Sequence, residues 1–328
     1  MRTADFFAGV GGVRLGLEQA GFETIFSNDF DRFCKITYDL NSKLVKQTLA
    51  DIRNIKGSDI PDFDLLAGGF PCQAFSVAGY RDGFQDKKGR GNLFFEILRI
   101  IDEKRKKPSI VFLENVKNLL GHDSGNTYKV IKRDLESFGY SVTERVLNSM
   151  YHGGIPQTRE RVYIIGFRDS EAFYRFDWPE ALQLKTSFKE LLENNVDGRF
   201  YYNDKPLFKR LKDYVIDADT VYQWRRKYVR ENKKRVCPTL TANMGTGGHN
   251  VPIIKDSCGI RKLTPTECFR LQAFPRTFKL PKELADCHLY KQAGNSVTVS
   301  VIRSIAENIR SSVEGVNLRR GQLELQIN

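Results

Sequence analysis

Apolar residues in this chain fall into short continuous runs, each closed by glycine, proline or a carboxylate, and the runs alternate with stretches of helical period. Arg2 to Ala8 reads as a strand, and Gly9-Val10-Gly11-Gly12 as a tight turn. Val13 to Gly21, apolar at 13, 15, 17 and 20, reads as a short amphipathic helix. A second strand, Thr24 to Ser27, runs into Asn28-Asp29-Phe30-Asp31, and Arg32 to Leu40 is helix-like. Leu65-Leu66-Ala67 ends a buried strand broken by Gly68 and Gly69. Leu93 to Arg105 then predicts a helix, Ile110 to Leu113 a strand and Thr127 to Phe138 a helix. Gly139 to Asn148 and Arg161 to Phe167 predict two more strands. Alternation of this kind is the pattern of an α/β, Rossmann-like sheet.

From about Thr186 to Leu284 the pattern changes to cation-dense stretches with interleaved aromatics and glycine. A smaller, inserted domain is expected there. The final helix, Val297 to Ile309, should return to the first domain, and the polar tail from Gly315 should be loosely held. The expected organisation is 1–185 for the first part of the α/β domain, 186–284 for the insertion and 285–328 for the returning part.

Composition changes this picture in one respect. Of 328 residues 41% are hydrophobic and 28% charged, which is ordinary for a soluble domain, but the net charge is +12 and the pI about 9.3. An excess of that size points to an anionic partner, nucleic acid ahead of membrane. No apolar run approaches the roughly 20 residues that span a bilayer, and the N-terminus reads directly as a strand, so a cytoplasmic protein is expected. The six cysteines (34, 72, 237, 258, 268, 287) form no CxxC pair, which favours neither zinc nor a disulfide framework.

The candidate chemistry sits at strand ends. In the first loop Gly9 and Gly11 fit GxGxxG but the third position is Arg14, so the loop departs from the dinucleotide fingerprint. Asp29, 20 residues after Gly9, stands where an acid can hydrogen-bond ribose hydroxyls. Together they say nucleoside cofactor, without saying which. Asp51 with Ile52 can bind an adenine amino group and pack on its ring, or can be a solvated loop acid. Cys72 follows Gly69-Phe70-Pro71 just past a strand end, flanked by the polar Gln73 and Ser76, and reads as a nucleophile rather than a packed thiol. Residues 78–92 hold four glycines (79, 83, 89, 91) and the cations Arg81, Lys87, Lys88 and Arg90, the pattern of a basic lid over a polyanion. Glu114, directly after four apolar residues, is either a helix-cap acid or a partly desolvated catalytic acid. Arg159 and Arg161, alternating with Glu160, should face one pocket.

Taken together these blocks resemble the DNA cytosine-5 methyltransferases of bacterial restriction–modification systems, nearly end to end. They are Asp5-Phe6-Phe7-Ala8-Gly9-Val10-Gly11-Gly12, Gly69-Phe70-Pro71-Cys72-Gln73, Glu114-Asn115-Val116 and Gln157-Thr158-Arg159-Glu160-Arg161. Arg261-Lys262-Leu263-Thr264-Pro265-Thr266-Glu267-Cys268 and Gln292-Ala293-Gly294-Asn295-Ser296-Val297 complete the set. The resemblance implies a Rossmann-like S-adenosylmethionine-dependent domain carrying an inserted target-recognition domain. It implies methyl transfer from S-adenosylmethionine to C5 of a flipped-out cytosine in a short duplex sequence, through a covalent Cys72 adduct at C6, with S-adenosylhomocysteine as product and no metal. It also implies protection of host DNA from a cognate restriction endonuclease, a genetic rather than physical partner, by a monomeric enzyme.

Residue by residue, the resemblance gives catalysis to Cys72, Glu114 and Arg161, with Arg159 ordering their pocket. The cofactor falls to Phe7, Gly9, Gly11, Asp29, Phe30, Asp51, Ile52, Pro71, Leu93 and Asn295. Many relatives carry Trp where Phe30 stands, so stacking should be weaker here. DNA contacts are expected from Gln73, Ser76, Arg81 and Arg90, and from Arg235, Thr239, Leu240, Asn243, Gly247 and His249, with Thr239-Leu240 matching the family's Thr-Leu pair. Two other readings were weighed against this. A catalytically dead DNA-binding member should lack Cys72 or Glu114, and both are present. The tRNA-methylating branch carries a Cys-Phe-Thr signature that is absent from this chain.

Overall fold

The computed structural model describes residues 1–71, 93–245 and 250–315. In chain order its strands and α-helices begin β1 (Arg2–Phe6), α1 (Gly12–Gln19), β2 (Glu23–Asp29), α2 (Arg32–Leu40), β3 (Thr48–Leu49), β4 (Leu65–Gly68) and α3 (Leu93–Glu103). Next come β5 (Ile110–Val116), α4 (Asn126–Ser137), β6 (Ser141–Asn148), α5 (Ser149–His152), β7 (Gln157–Thr158), β8 (Glu160–Phe167) and α6 (Ser170–Arg175). The third part holds α7 (Phe208–Leu211), β9 (Tyr222–Trp224), β10 (Val229–Glu231), β11 (Cys237–Pro238), β12 (Pro252–Asp256) and β13 (Gly259–Lys262). Three helices, α8 (Pro265–Arg270), α9 (Asp286–Asn295) and α10 (Val299–Glu314), end the described chain.

The main sheet has the order β3-β2-β1-β4-β5-β8-β6. Its first five strands are parallel, and β8 runs antiparallel to both β5 and β6. Alternation along β5 decides which face each residue serves. Val111 and Leu113 join Ile97 and Ile101 of α3 and Ile131 and Leu135 of α4 on one face. Ile110 and Phe112 meet Leu17 of α1 and Ile302, Ile305 and Ile309 of α10 on the other. The approach of α1 to α10 requires glycine at 16, because a Cβ there would lie 2.6 Å from Ile302 Cβ. The last helix thus packs on the first, as its amphipathic pattern suggests.

Strand β1 feeds β2 on one side of the sheet while β4 lies on its other side, so the connection reverses between β1 and β4. Such a switch point opens a crevice at the strands' carboxyl ends, where ligands bind in open α/β sheets. A second sheet, β10-β9-β12-β13, stands apart from the first, and a two-stranded parallel pair, β7 with β11, lies between chain segments 157–158 and 237–238. One core cluster joins Val10 and Val299 to Phe188, Leu240, Met244, Phe269 and Tyr290. The glycine loop and the 188–293 region therefore share a core.

Candidate active site

The glycine loop is shaped by backbone that L side chains resist. Phe7, Gly9 and Gly11 all have positive φ (55°, 54° and 87°), the left-handed region that glycine enters without penalty. Asp29, at the end of β2, accepts hydrogen bonds from Gly9 N (2.8 Å) and Asp31 N (2.8 Å). Gln47 Nε2 donates to Gly9 O (2.8 Å), so the Gly9 peptide is held from both sides. Burial pushes the Asp29 carboxyl above its usual value, against the pull of those amides. The Phe30 amide adds to them, so backbone donors take up three of the carboxylate's four lone-pair sites and one is left for a further donor. Gly9 faces open space, with no atom within 4 Å of a Cβ built there. Phe30 turns outward at 70% exposure. It lines a cavity of about 390 Å³ with Phe33, His288 and Lys291.

The remaining cofactor residues divide. Pro71 is exposed at the end of the β4 loop, Leu93 is half-buried at the start of α3, and Asn295 is exposed at the end of α9. Asp51 caps the turn at Ile52–Asn54 and forms an ion pair with Arg53, so a ligand amino group would share its carboxylate with that guanidinium. The Ile52 side chain departs from the expectation. It is buried (3% exposed) in the core with Phe6 and Ile55 and offers at most an edge to a ligand ring.

At the other side of the crevice the expected chemistry is assembled by strand register. Glu114 lies inside β5, not past its end, because antiparallel pairing with β8 carries the strand on to Val116, opposite Arg161. Glu114 and Arg161 are then diagonal neighbours on one face, and Arg161 Nε meets Glu114 Oε1 at 3.0 Å, with the two side chains 15% and 13% exposed. The second oxygen, Oε2, stands 3.3 Å from where a Gly69 Cβ would be. Asn115 Nδ2 donates to Phe70 O (2.9 Å), which ties the chain ahead of Pro71 to β5. Cys72, Gln73, Ser76, Arg81 and Arg90, with the expected lid, lie outside the described residues, as do Gly247 and His249.

Arg159 is buried at 2% exposure, just ahead of β8 at the bend after β7, close enough to Arg161 and Glu114 for their charges to act on it. Its guanidinium donates to three backbone carbonyls: Leu240 O (2.9 Å), Gly294 O (3.1 Å) and Ser296 O (2.6 Å). Burial, with the Arg161 charge beside it, pushes its pKa down to about 9, still protonated at neutral pH. Arg159 therefore positions backbone rather than touching a substrate. Leu240, expected to contact DNA, instead has its side chain fully buried in the core, with its N–H donating to Gln157 Oε1 (3.1 Å) and its C=O accepting from Arg159. The neighbouring Thr239 hydroxyl donates to Thr158 O. Asn243 and Arg235 are exposed, the latter 3.9 Å from Asp217.

Sequence reasoning missed Gln47, a single amide in a polar loop with no pattern to mark it. It also gave no role to Gln157, whose Nε2 donates to Leu271 O (2.6 Å) while its Oε1 holds Leu240. Its place in the Gln-Thr-Arg-Glu-Arg block was the available signal. Among the described residues no group of three or more His, Cys, Asp or Glu is placed to hold a metal.

Comparison with known proteins agrees with this geometry. The family model described as C-5 cytosine-specific DNA methylase matches residues 1–311. The chain is 56% identical over 318 residues to the Type II methyltransferase M.Bsp6I of Bacillus sp. (strain RFL6), covering 95% of this chain and 99% of that one. It is 38% identical over 331 residues to the Type II methyltransferase M.HhaI of Haemophilus parahaemolyticus, covering 95% of each. Among solved structures the Entamoeba histolytica methyltransferase EhMeth superposes with a TM-score of 0.74 at 17% identity, over 95% of this chain and 98% of that one, a likeness of fold.

Proposed function

Since the chain belongs to the C-5 cytosine-specific DNA methylase family and is a DNA (cytosine-5-)-methyltransferase, we propose that it methylates a flipped-out cytosine through a covalent adduct of Cys72. The observation that carries this reading is the Arg161–Glu114 pair, set at the carboxyl end of the sheet against Gly69, three residues before Cys72. Three residues of chain span at most about 11 Å, a reach that supports a nucleophile and an acid acting on one base.

Unaided, C5 of cytosine is too weak a nucleophile to take a methyl group. The Cys72 thiolate adds to C6, forming an S–C6 bond, and the C5=C6 pair becomes an enamine reactive at C5. Glu114 holds N3 and supplies charge stabilisation there as the adduct forms, and Arg161 contacts O2 while holding Glu114 in place. Loss of the C5 proton to a base then re-forms C5=C6 and expels the thiolate. S-adenosylmethionine, when bound, supplies the electrophilic methyl group and leaves as S-adenosylhomocysteine. The residues fit such a nucleoside: the Asp29 carboxylate, the open side of Gly9 and the outward Phe30 ring lie along one crevice edge. Phe7, Gly11, Asp51, Pro71, Leu93 and Asn295 complete the set, with Ile52 behind it.

The target atom is stacked inside a duplex, and extruding the base costs a few kcal/mol. Lys233, Lys234 and Arg235, exposed after the β9–β10 hairpin, supply phosphate contacts, and Asn243 with Gly247 and His249 reads base edges. We assign 186–284 as the recognition region, and a host-protecting role beside a cognate endonuclease, in the cytoplasm. Among the described residues no helix is long and apolar enough to cross a membrane.

Transfer of tritium from labelled S-adenosylmethionine to duplex DNA and to tRNA tests the reading. Label in duplex DNA alone is expected. Label in tRNA alone, or in neither, overturns it.

A further inference from the structure

Two functional segments far apart in sequence meet on α9. The turn Ala242–Gly245 leads directly into 246–249, and it lies along that helix from Gly294 back to Cys287. A Cβ at Gly294 would sit 2.2 Å from Thr241 C and 2.4 Å from Ala242 N, far inside any tolerated contact, so the 241–242 peptide rests flat on the helix backbone. At the turn's other end, a Cβ at Gly245 would meet Tyr290 Cβ at 2.9 Å and Cys287 Cα at 3.1 Å. Two glycines, one on each partner, thus set the height of the turn above α9. Arg159 locks the same joint, with one nitrogen on Leu240 O and the other on Gly294 O and Ser296 O.

The opposite side of α9 faces the cofactor edge. Gln292 accepts from Thr37 Oγ1 (2.9 Å) and donates to Phe33 O (2.9 Å), and the His288 ring stacks on Phe33 with centroids 3.8 Å apart. Lys291 pairs with Asp31 at 2.9 Å, two residues beyond Asp29. Asn295, one residue after Gly294, completes the helix at the crevice.

We propose that Gly294 and Arg159 form the joint through which the target-reading turn and the cofactor edge share one geometry, so that occupancy of either site changes affinity at the other. The proposal rests on the methyltransferase reading above. Close packing gives it physical content: a backbone laid on a backbone cannot shift without carrying its neighbour. Linkage requires the effect to be reciprocal. Arg159 and Gly294 are positioning residues in this scheme, acting through Thr241 on one side and Asn295 on the other.

The methylated sequence is first read by bisulfite sequencing of DNA from cells expressing the wild-type chain. S-adenosylhomocysteine affinity is then measured by calorimetry with cognate and with non-cognate duplex, for the wild type, Gly294→Ala, Arg159→Lys and Thr37→Val. The last keeps shape and removes the hydroxyl, with its bond to Gln292 and its longer one to Phe33 O within α2. The ratio of the two dissociation constants should be about 5-fold or more in the wild type, the lower end of ordinary coupling. It should fall below about 2-fold in Gly294→Ala and Arg159→Lys and be reduced in Thr37→Val. A wild-type ratio retained in every variant that folds overturns the joint, because a merely structural role would lower stability without changing the ratio. So does a wild-type ratio of one in protein that methylates its duplex. A wild-type preparation that methylates no duplex brings down the functional reading, and the joint with it.

Discussion

Arg159 and Arg161 stand two residues apart and do opposite work. Arg161 lies in β8, in register with Val116, and reaches Glu114, whereas Arg159 turns away to hold carbonyls 81 and 135 residues distant in sequence. Alternation along a strand put both on one face, but the strand begins only at Glu160, so alternation does not fix where the Arg159 side chain lies. The Glu114–Arg161 pair was legible from its blocks. The partners of Arg159 were not, because no local pattern encodes a bond to a backbone carbonyl in another element. Arg161→Ala should lower kcat/KM by about 100-fold or more, the cost of a lost charge-stabilising group. Steady-state methylation kinetics would show it, and a loss under 10-fold would remove Arg161 from the chemistry. Asp5, beneath the glycine loop, gives a pH prediction. Burial raises its carboxyl to about 8, with the Arg14 charge opposing. The native state then keeps its proton while the unfolded chain loses one near pH 4, so this group makes stability fall as pH rises from about 4 to about 8 and level off above. Asp5→Asn should flatten that interval, as urea midpoints at pH 5 and pH 8.5 would record. A parallel pH dependence in the two proteins would contradict it.

At the scale of elements, the Arg261-Lys262-Leu263-Thr264-Pro265-Thr266-Glu267-Cys268 block has a structural job. Thr264 and Glu267 form a reciprocal capping box at the start of α8, with Pro265 at the first turn. Glu267, fully buried, also takes both terminal nitrogens of Arg261 at 2.8 Å, and Arg261 Nε reaches Asp256 at 2.6 Å. Removing one partner strands a buried charge, so Glu267→Ala should cost about 3–5 kcal/mol by urea unfolding. A cost below 1 kcal/mol would mean that Arg261 finds another partner. The helices and strands of the first half were readable within a few residues, since each buries a long apolar stripe. The sheet β10-β9-β12-β13 was not, because its strands are only three to five residues long and all but β9 carry charges. Nor does the pattern mark α9, whose small residues face other backbone rather than a hydrophobic layer.

Over the whole molecule the net charge of +12 is the property that matters most for the partner. Binding to duplex DNA should weaken steeply with salt as phosphate contacts release counterions. Lys233→Ala should lower affinity for all sequences alike and flatten the slope of log K against log salt by about 1. Filter-binding titrations at several salt concentrations measure this, and an unchanged slope would move the phosphate contact away from the segment after β10. Fold class and family were readable from six blocks in order, the first three of which mark strand ends at the crevice. How the recognition turn sits on α9 was hidden, since glycines 245 and 294 reveal their purpose only once the two backbones meet.

The central claim is the covalent bond at Cys72. It is tested most directly by incubating the enzyme and S-adenosylmethionine with a cognate duplex carrying 5-fluorocytosine at the target, where fluorine cannot leave as a proton does. The account predicts a denaturation-resistant complex whose digestion yields the Cys72 peptide joined through sulfur to C6 of the methylated base, and no complex from Cys72→Ser. A wild-type enzyme that methylates ordinary DNA yet forms no such adduct, or forms it at another residue, would contradict it.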